Sequence, residues 1–283
     1  MAGDLADTTI DAQPAEEAPA LDKPAPPPTK EKQRLLYRKR FVFMYIILGL
    51  ALLATVAGVV MALDATITAG APPWSSWKPD GSSSAKTNTI AQKVGGQYRL
   101  PSGHQMLDIY AKKLTVPVTT SSGASEVPIA AVAIRGPKGK VDRISMLSDS
   151  DSRLYQLCGT GTACAIGEGK ASVARGQLVR REALELALYT FKYVQGTDHV
   201  IAFMPPPPGS QPSVLIFLDK ADVKPYLSMP LTNTVAAKTP LPTTISAAEG
   251  NAVDKIMMPH LYKFTLQQTE LGQAVLVLQP ATA

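Results

Sequence analysis

From Phe41 to Leu63 the chain carries no charged side chain, and this run constrains everything around it. At ~1.5 Å rise per residue it makes a helix of roughly 34 Å, enough to cross a hydrocarbon core about 30 Å thick with slight tilt. The competing reading is a cleaved signal peptide, for which Val60-Met61-Ala62 offers a small-residue site. Signal peptides, however, have a short basic start and an apolar region of about 7–15 residues. Here a 40-residue segment precedes a longer run. A single transmembrane helix over 41–63 is the expectation.

Charge sets its orientation. Lys30, Lys32, Arg34, Arg38, Lys39 and Arg40 crowd the N-terminal flank, while residues 64–77 contain no Lys or Arg. The positive-inside rule places the N-terminus in the cytoplasm and everything after Leu63 outside, a single-pass plasma-membrane address. The same six cations are candidate contacts for anionic lipid headgroups, at about 1 kcal/mol each near the surface. Ala54, Gly58 and Ala62 recur every four residues and form a candidate helix–helix contact, through which the chain would make a homo-oligomer. No ionisable group lies inside the run, so it serves as an anchor and not as a proton relay.

The net charge of +5 resolves by region into −5 over residues 1–29, +5 over 30–40 and +5 over 64–283. The surplus on the C-terminal part suits an anionic envelope surface and gives no case for nucleic acid. Residues 1–29 are acidic, rich in Ala and Pro and free of aromatic side chains, which predicts a disordered tail with Pro24 to Pro28 as a spacer. Residues 64–90 are mostly Ala, Ser, Thr, Gly and Pro, which predicts a flexible linker with a reach of roughly 30 Å. Trp74 and Trp77 lie in that linker and are candidate contacts for the membrane interface or for a partner.

The remaining segment, 91–283, reads as one α+β extracytoplasmic domain built of antiparallel hairpins with one principal helix. Val127 to Ile134 and Val141 to Met146 flank a Gly/Pro-rich junction. His199 to Met204 and Ser213 to Leu218 are strands joined by Pro205 to Pro208, which cannot donate to a sheet ladder. Tyr262 to Leu266 and Ala274 to Leu278 make the third hairpin. The principal helix runs from about Gln177 to Val194, with Leu184, Ala187, Leu188, Phe191 and Val194 on its buried face and Arg180, Arg181, Glu182, Glu185 and Lys192 on the rest. A further short helix is expected near Ala247 to Ile256.

Cys158 and Cys164 close a short loop, and on an oxidising side of the membrane such a pair bonds. Their spacing fits neither the Cys-x-x-Cys redox motif nor a zinc site. Other chemical motifs fail. Gly167-Glu168-Gly169-Lys170-Ala171-Ser172 lacks the first glycine and the Ser/Thr of a phosphate-binding loop. Ser75-x-x-Lys78 and Ser83-x-x-Lys86 match the Ser-x-x-Lys pattern of penicillin-binding enzymes, but that serine must open a packed helix and these lie in the expected linker. His104, His199 and His260 are the only histidines. Asp198 precedes His199 directly, and strand neighbours point to opposite faces, so the two do not orient one another. Asp108, Asp149, Asp151, Glu168 and Glu182 pair as carboxylates only if the fold brings them together.

The expected protein is therefore a membrane-anchored, non-catalytic domain that binds or scaffolds in the cell envelope. Its expected partners are membrane lipid, an envelope protein or polymer and a second copy of itself; no cofactor or metal is expected. The alternative is an envelope hydrolase or transferase with a carboxylate site that only tertiary structure would assemble.

Overall fold

The computed structural model describes residues 42, 44–55, 73–120, 123–136 and 139–281. The chain divides into two units, 1–71 and Pro72–Ala283. In the first, residues 42 and 44–55 are helical. Among the described residues no helix is long and apolar enough to cross a membrane. The transmembrane helix expected over 41–63 therefore has no counterpart among the described residues, of which 42 and 44–55 are helical; the rest of that run lies outside them. Of the small-residue stripe only Ala54 is described. Gly58, Ala62 and the basic residues Lys30, Lys32, Arg34, Arg38, Lys39 and Arg40 lie outside the described residues.

In the second unit the expected linker ends early. Residues 83–95 form a helix, α1 (Ser83–Gly95), capped by Ser82, whose side chain accepts from the Ala85 amide. Its Ile90, Ala91 and Val94 are buried. The strands over 108–112, 115–120 and 152–158 and the helix over 220–227 likewise have no counterpart among the expected elements. In chain order the strands are β1 (Asp108–Lys112), β2 (Thr115–Thr120), β3 (Gly123–Arg135), β4 (Val141–Met146), β5 (Ser152–Cys158), β6 (His199–Phe203), β7 (Val214–Asp219), β8 (Leu261–Gln268) and β9 (Ala274–Pro280). The remaining helices are α2 (Val173–Tyr193), α3 (Lys220–Leu227) and α4 (Ala247–Met257).

The strands form one sheet in the order β1-β5-β6-β7-β8-β9-β3-β2, with β4 also on β3. The pairs β3/β4, β6/β7 and β8/β9 are antiparallel. The sheet as a whole is not: β5/β6 and β3/β9 are parallel. The hairpin architecture is thus corrected to a mixed sheet that nearly closes on itself. Parallel partners need a crossover, which α2 supplies between β5 and β6. The pairing of β3 with β9 joins segments far apart in sequence, which local patterning does not reveal.

Closure follows from β3. Its register slips between Ile129 and Ala131 and again at Ile134/Arg135, and such bulges bend a strand and increase its twist. The first part of β3 pairs with β2 and the second with β4 and β9. Side chains alternate across the sheet. One set, including Tyr155, Leu157, Val200, Ala202, Ile216 and Leu218, packs under α1, α2 and α4. The other, including Leu154, Ile201, Leu215, Phe217, Leu276 and Leu278, fills the concavity of the curled sheet.

Helix α2 is the axis of the helical layer. Ser172 caps it by accepting from the Arg175 amide at 3.1 Å. Nearly all of it is buried, including Arg181, Glu182 and Glu185, which patterning assigns to the solvent face. Burial of Arg181 and Glu185 is offset because each nitrogen of the Arg181 guanidinium has a partner. It donates from Nε to Glu249 of α4 at 2.7 Å, from Nη2 to the Ala236 carbonyl at 2.7 Å, and from Nη1 to Glu185 at 3.3 Å and to the Tyr98 hydroxyl. The Tyr98 hydroxyl in turn donates to Glu185 at 2.7 Å.

Candidate functional site

The concave face of the sheet is packed along most of its length and open at one end. There a cleft of about 660 Å³ has Leu154 of β5, Phe203 of β6 and Phe264 and Leu266 of β8 as its apolar floor. Phe203 and Phe264 meet edge to face with centroids 5.0 Å apart. Lys112, Lys113, Glu126, Gln156 and Gln211 form the rim. The parity of the strands explains the set: Leu154 and Gln156, Ile201 and Phe203, and Tyr262, Phe264 and Leu266 each share a face. Residues from β1 and β2, the two ends of the sheet order, line the same cleft, which makes it the place where the curled sheet fails to close.

A second recess of about 360 Å³ adjoins it. Ser83, Ser84, Thr87 and Asn88 enter from the first turns of α1, and Ser152, Asp149 and Arg153 from the start of β5. Lys112 and Lys113 line both the recess and the apolar cleft. Arg153 is fixed by its Nη1, which donates to the carbonyls of Asp149 and Ser152 at 2.7 Å each. An apolar cleft with a basic, hydroxyl-rich annex can hold a ligand that is greasy at one end and polar at the other.

Cys158 and Cys164 are joined by a disulfide, as their spacing led us to expect. It lies beside the cleft: Gln156 on the rim donates from Nε2 to Cys164 Sγ at 3.4 Å. The loop is tightly formed, with Ala163 and Cys164 at φ 53° and 67°, a region in which side chains are strained. The prolines Pro205 to Pro208 connect β6 to β7, and the same loop delivers Gln211 and Pro212 to the cleft.

Opposite the cleft, the other end of the concave face is closed by charge. His199 Nδ1 lies 2.6 Å from Asp219 Oδ1, and Arg143 Nη1 of β4 lies 2.6 Å from Asp219 Oδ2. Arg143 thereby reaches from β4 to β7 across the intervening β3, β9 and β8. His199 stacks on Phe217, and Arg143 lies 5.7 Å from the same ring. His199 is oriented by Asp219, its register partner on the next strand, and not by Asp198. His260 sits nearby, 3.5 Å from Asp222; burial holds its pKa below the usual histidine range, against the pull of Asp222 and Asp219. His104 contacts Glu168 at 2.9 Å on the surface.

The tryptophans are placed within the folded unit. Trp74 is buried, donates from its indole to the Tyr226 carbonyl at 3.1 Å, and meets Tyr189 and Tyr193 edge to face. Trp77 is half-buried against Tyr189. Their rings therefore complete the core under α2. Ser83 opens the packed helix α1, so the linker objection to Ser83-x-x-Lys86 falls, but Lys86 lines neither cleft described here. Of the five carboxylates considered, Asp149 reaches the recess and Glu182 is buried under the sheet. Each cleft holds one carboxylate and no histidine. Among the described residues no group of three or more metal-ligating side chains is found.

Lys112, Lys113, Phe203, Phe264 and Gln156 carry no motif, and sequence reading passes over them. The available signal was the alternation Tyr262, Phe264, Leu266, which marks one apolar face, and the lysine pair ending a strand. Comparison with known proteins finds no matching family model, no matching curated protein and no matching solved structure.

Proposed function

We propose that this chain is a non-catalytic binding protein of the cell envelope, whose binding site is the cleft at the open end of the curled sheet. The observation that carries the reading is the cleft itself. Its volume of about 660 Å³ lies within the roughly 300–1,000 Å³ usual for small-molecule sites. Its floor is apolar and largely preformed by strands, so little ordering opposes binding. Each methylene transferred there from water contributes about 0.8 kcal/mol.

The envelope address is part of the same proposal. It is supported by the charge asymmetry around the uncharged run and by the disulfide, a bond that persists in oxidising compartments. Protease added to intact cells or spheroplasts should digest the part after Leu63 and spare the N-terminal tail. The reverse pattern would overturn the address.

For the site, a photo-crosslinking amino acid is placed in the full chain at position 266 or, as control, at 271 on the exposed β8/β9 turn. Irradiation of intact cells should give an adduct of defined mass at 266 and none at 271. Equal labelling of both, or none at 266, rejects the cleft as the binding site.

A further inference from the structure

We propose that the ligand is an anionic amphiphile with a single long hydrocarbon chain, the chain lying over Phe203 and Phe264 and the acidic head held where Lys112 and Lys113 join the two clefts. The inference rests on the binding reading above and names the chemistry of what is bound.

Three observations carry it. The first is continuity with a step in polarity: the two lysines line both spaces, with Leu154, Phe203, Phe264 and Leu266 on one side and Ser83, Ser84, Thr87 and Ser152 on the other. A ligand that fills both must change character at the lysines. The second is charge. Across the two joined clefts the cations Lys112, Lys113 and Arg153 face two carboxylates, Asp149 in the recess and Glu126 on the rim of the apolar cleft, which leaves a net positive charge. Among the described residues neither lysine forms an ion pair, and Lys112 only lies over the Tyr110 ring at 5.6 Å. An acidic head would supply the missing counter-charge.

The third observation separates a hydrocarbon from a peptide. Strands β5, β6 and β8 of the floor are each paired on both edges. Over the phenylalanines they offer no ladder to an incoming strand, whose own backbone N–H and C=O groups would be buried unpaired there. The open edges belong to β1 and β2, the ends of the sheet order, and not to these floor strands. A hydrocarbon chain has no such groups to satisfy.

The test uses the full chain in phosphatidylcholine nanodiscs with two diazirine-bearing probes of equal chain length, lysophosphatidylglycerol and lysophosphatidylcholine. The anionic probe should label peptides containing Phe203, Phe264 or Leu266 at least about tenfold more than the zwitterionic one, a factor worth about 1.4 kcal/mol. K112E/K113E should erase this preference while keeping the label. L266E should lose labelling by both probes, and L266W, which fills the cleft without introducing charge, should do the same; melting curves establish that each variant is folded. Glycerol phosphate, a head without a chain, should compete poorly.

Failure of both probes to label the cleft overturns the binding reading and this inference together. Equal labelling by the two probes overturns the anionic head and leaves the binding reading standing. Competition by glycerol phosphate as strong as by the lipid overturns the chain. Labelling unchanged in both L266E and L266W removes the cleft as the site.

Discussion

Arg181 of α2 donates from Nε to Glu249 of α4 at 2.7 Å across a separation of 68 residues, in a position where its side chain is 1% exposed. The guanidinium also holds Ala236 and, through Tyr98, the segment that follows α1, so one side chain ties three distant segments to α2. Removing it leaves Glu185 and Glu249 without their cation. Arg181→Met should cost about 3–5 kcal/mol in urea unfolding, the range for an uncompensated buried charge. Adding Glu249→Met should recover part of that loss. A single-variant cost below about 1 kcal/mol would show that the network contributes little.

Glu182, one residue further along α2, is fully buried and neither carboxylate oxygen has a partner among the described residues. Burial first, and Glu185 second, hold its pKa well above the usual carboxylate range. The group is therefore protonated in the folded chain at pH values where the unfolded chain, with an ordinary value of about 4.3, has released its proton. Its contribution is fully present below about pH 4.3 and is lost as pH rises toward the folded value. Glu182→Gln, neutral at every pH, should raise the melting temperature at pH 7.5 and leave it nearly unchanged at pH 4. An equal effect at both would mean that the Glu182 pKa is the same in the folded and the unfolded chain.

The charged end of the sheet has a built-in asymmetry. Asp219 accepts from His199 and Arg143 at once and is mostly buried, whereas Arg143 is 45% exposed. Asp219→Ala should therefore cost about 2 kcal/mol, as expected for charge-assisted bonds lost in a buried setting, and Arg143→Ala less than about 1 kcal/mol. Chemical denaturation of both variants decides it; equal losses would mean that the Arg143 bridge itself closes this end.

The loop bearing the disulfide is both stapled and strained. Cys158→Ser with Cys164→Ser should cost about 2 kcal/mol by the chain-entropy relation for so short a loop. Ala163, at φ 53°, should tolerate Gly with an unchanged or raised melting temperature and lose stability on substitution by Val. A stabilising Val would contradict the left-handed conformation.

Local periodicity determined a good deal of this molecule. Alternation in Tyr262–Leu266, the apolar runs of β6 and β7 and the Pro/Gly-rich joints between them suffice to mark antiparallel pairs, because those partners are close in sequence. Helical spacing located α2, and two cysteines six apart implied their bond. The same local rules misplaced Arg181, Glu182 and Glu185, because a charged residue on a helix is assigned to solvent unless its partners are known, and Tyr98, Ala236 and Glu249 come from distant segments. They also gave Trp74 and Ser83 to a linker, since small polar residues and prolines look alike before a helix cap and in a loose tether. The parallel union of β3 with β9 and the curl that leaves a cleft over Phe203 and Phe264 were decided by tertiary structure alone. Closure of a sheet is a property of all its strands together, and no window of sequence contains it.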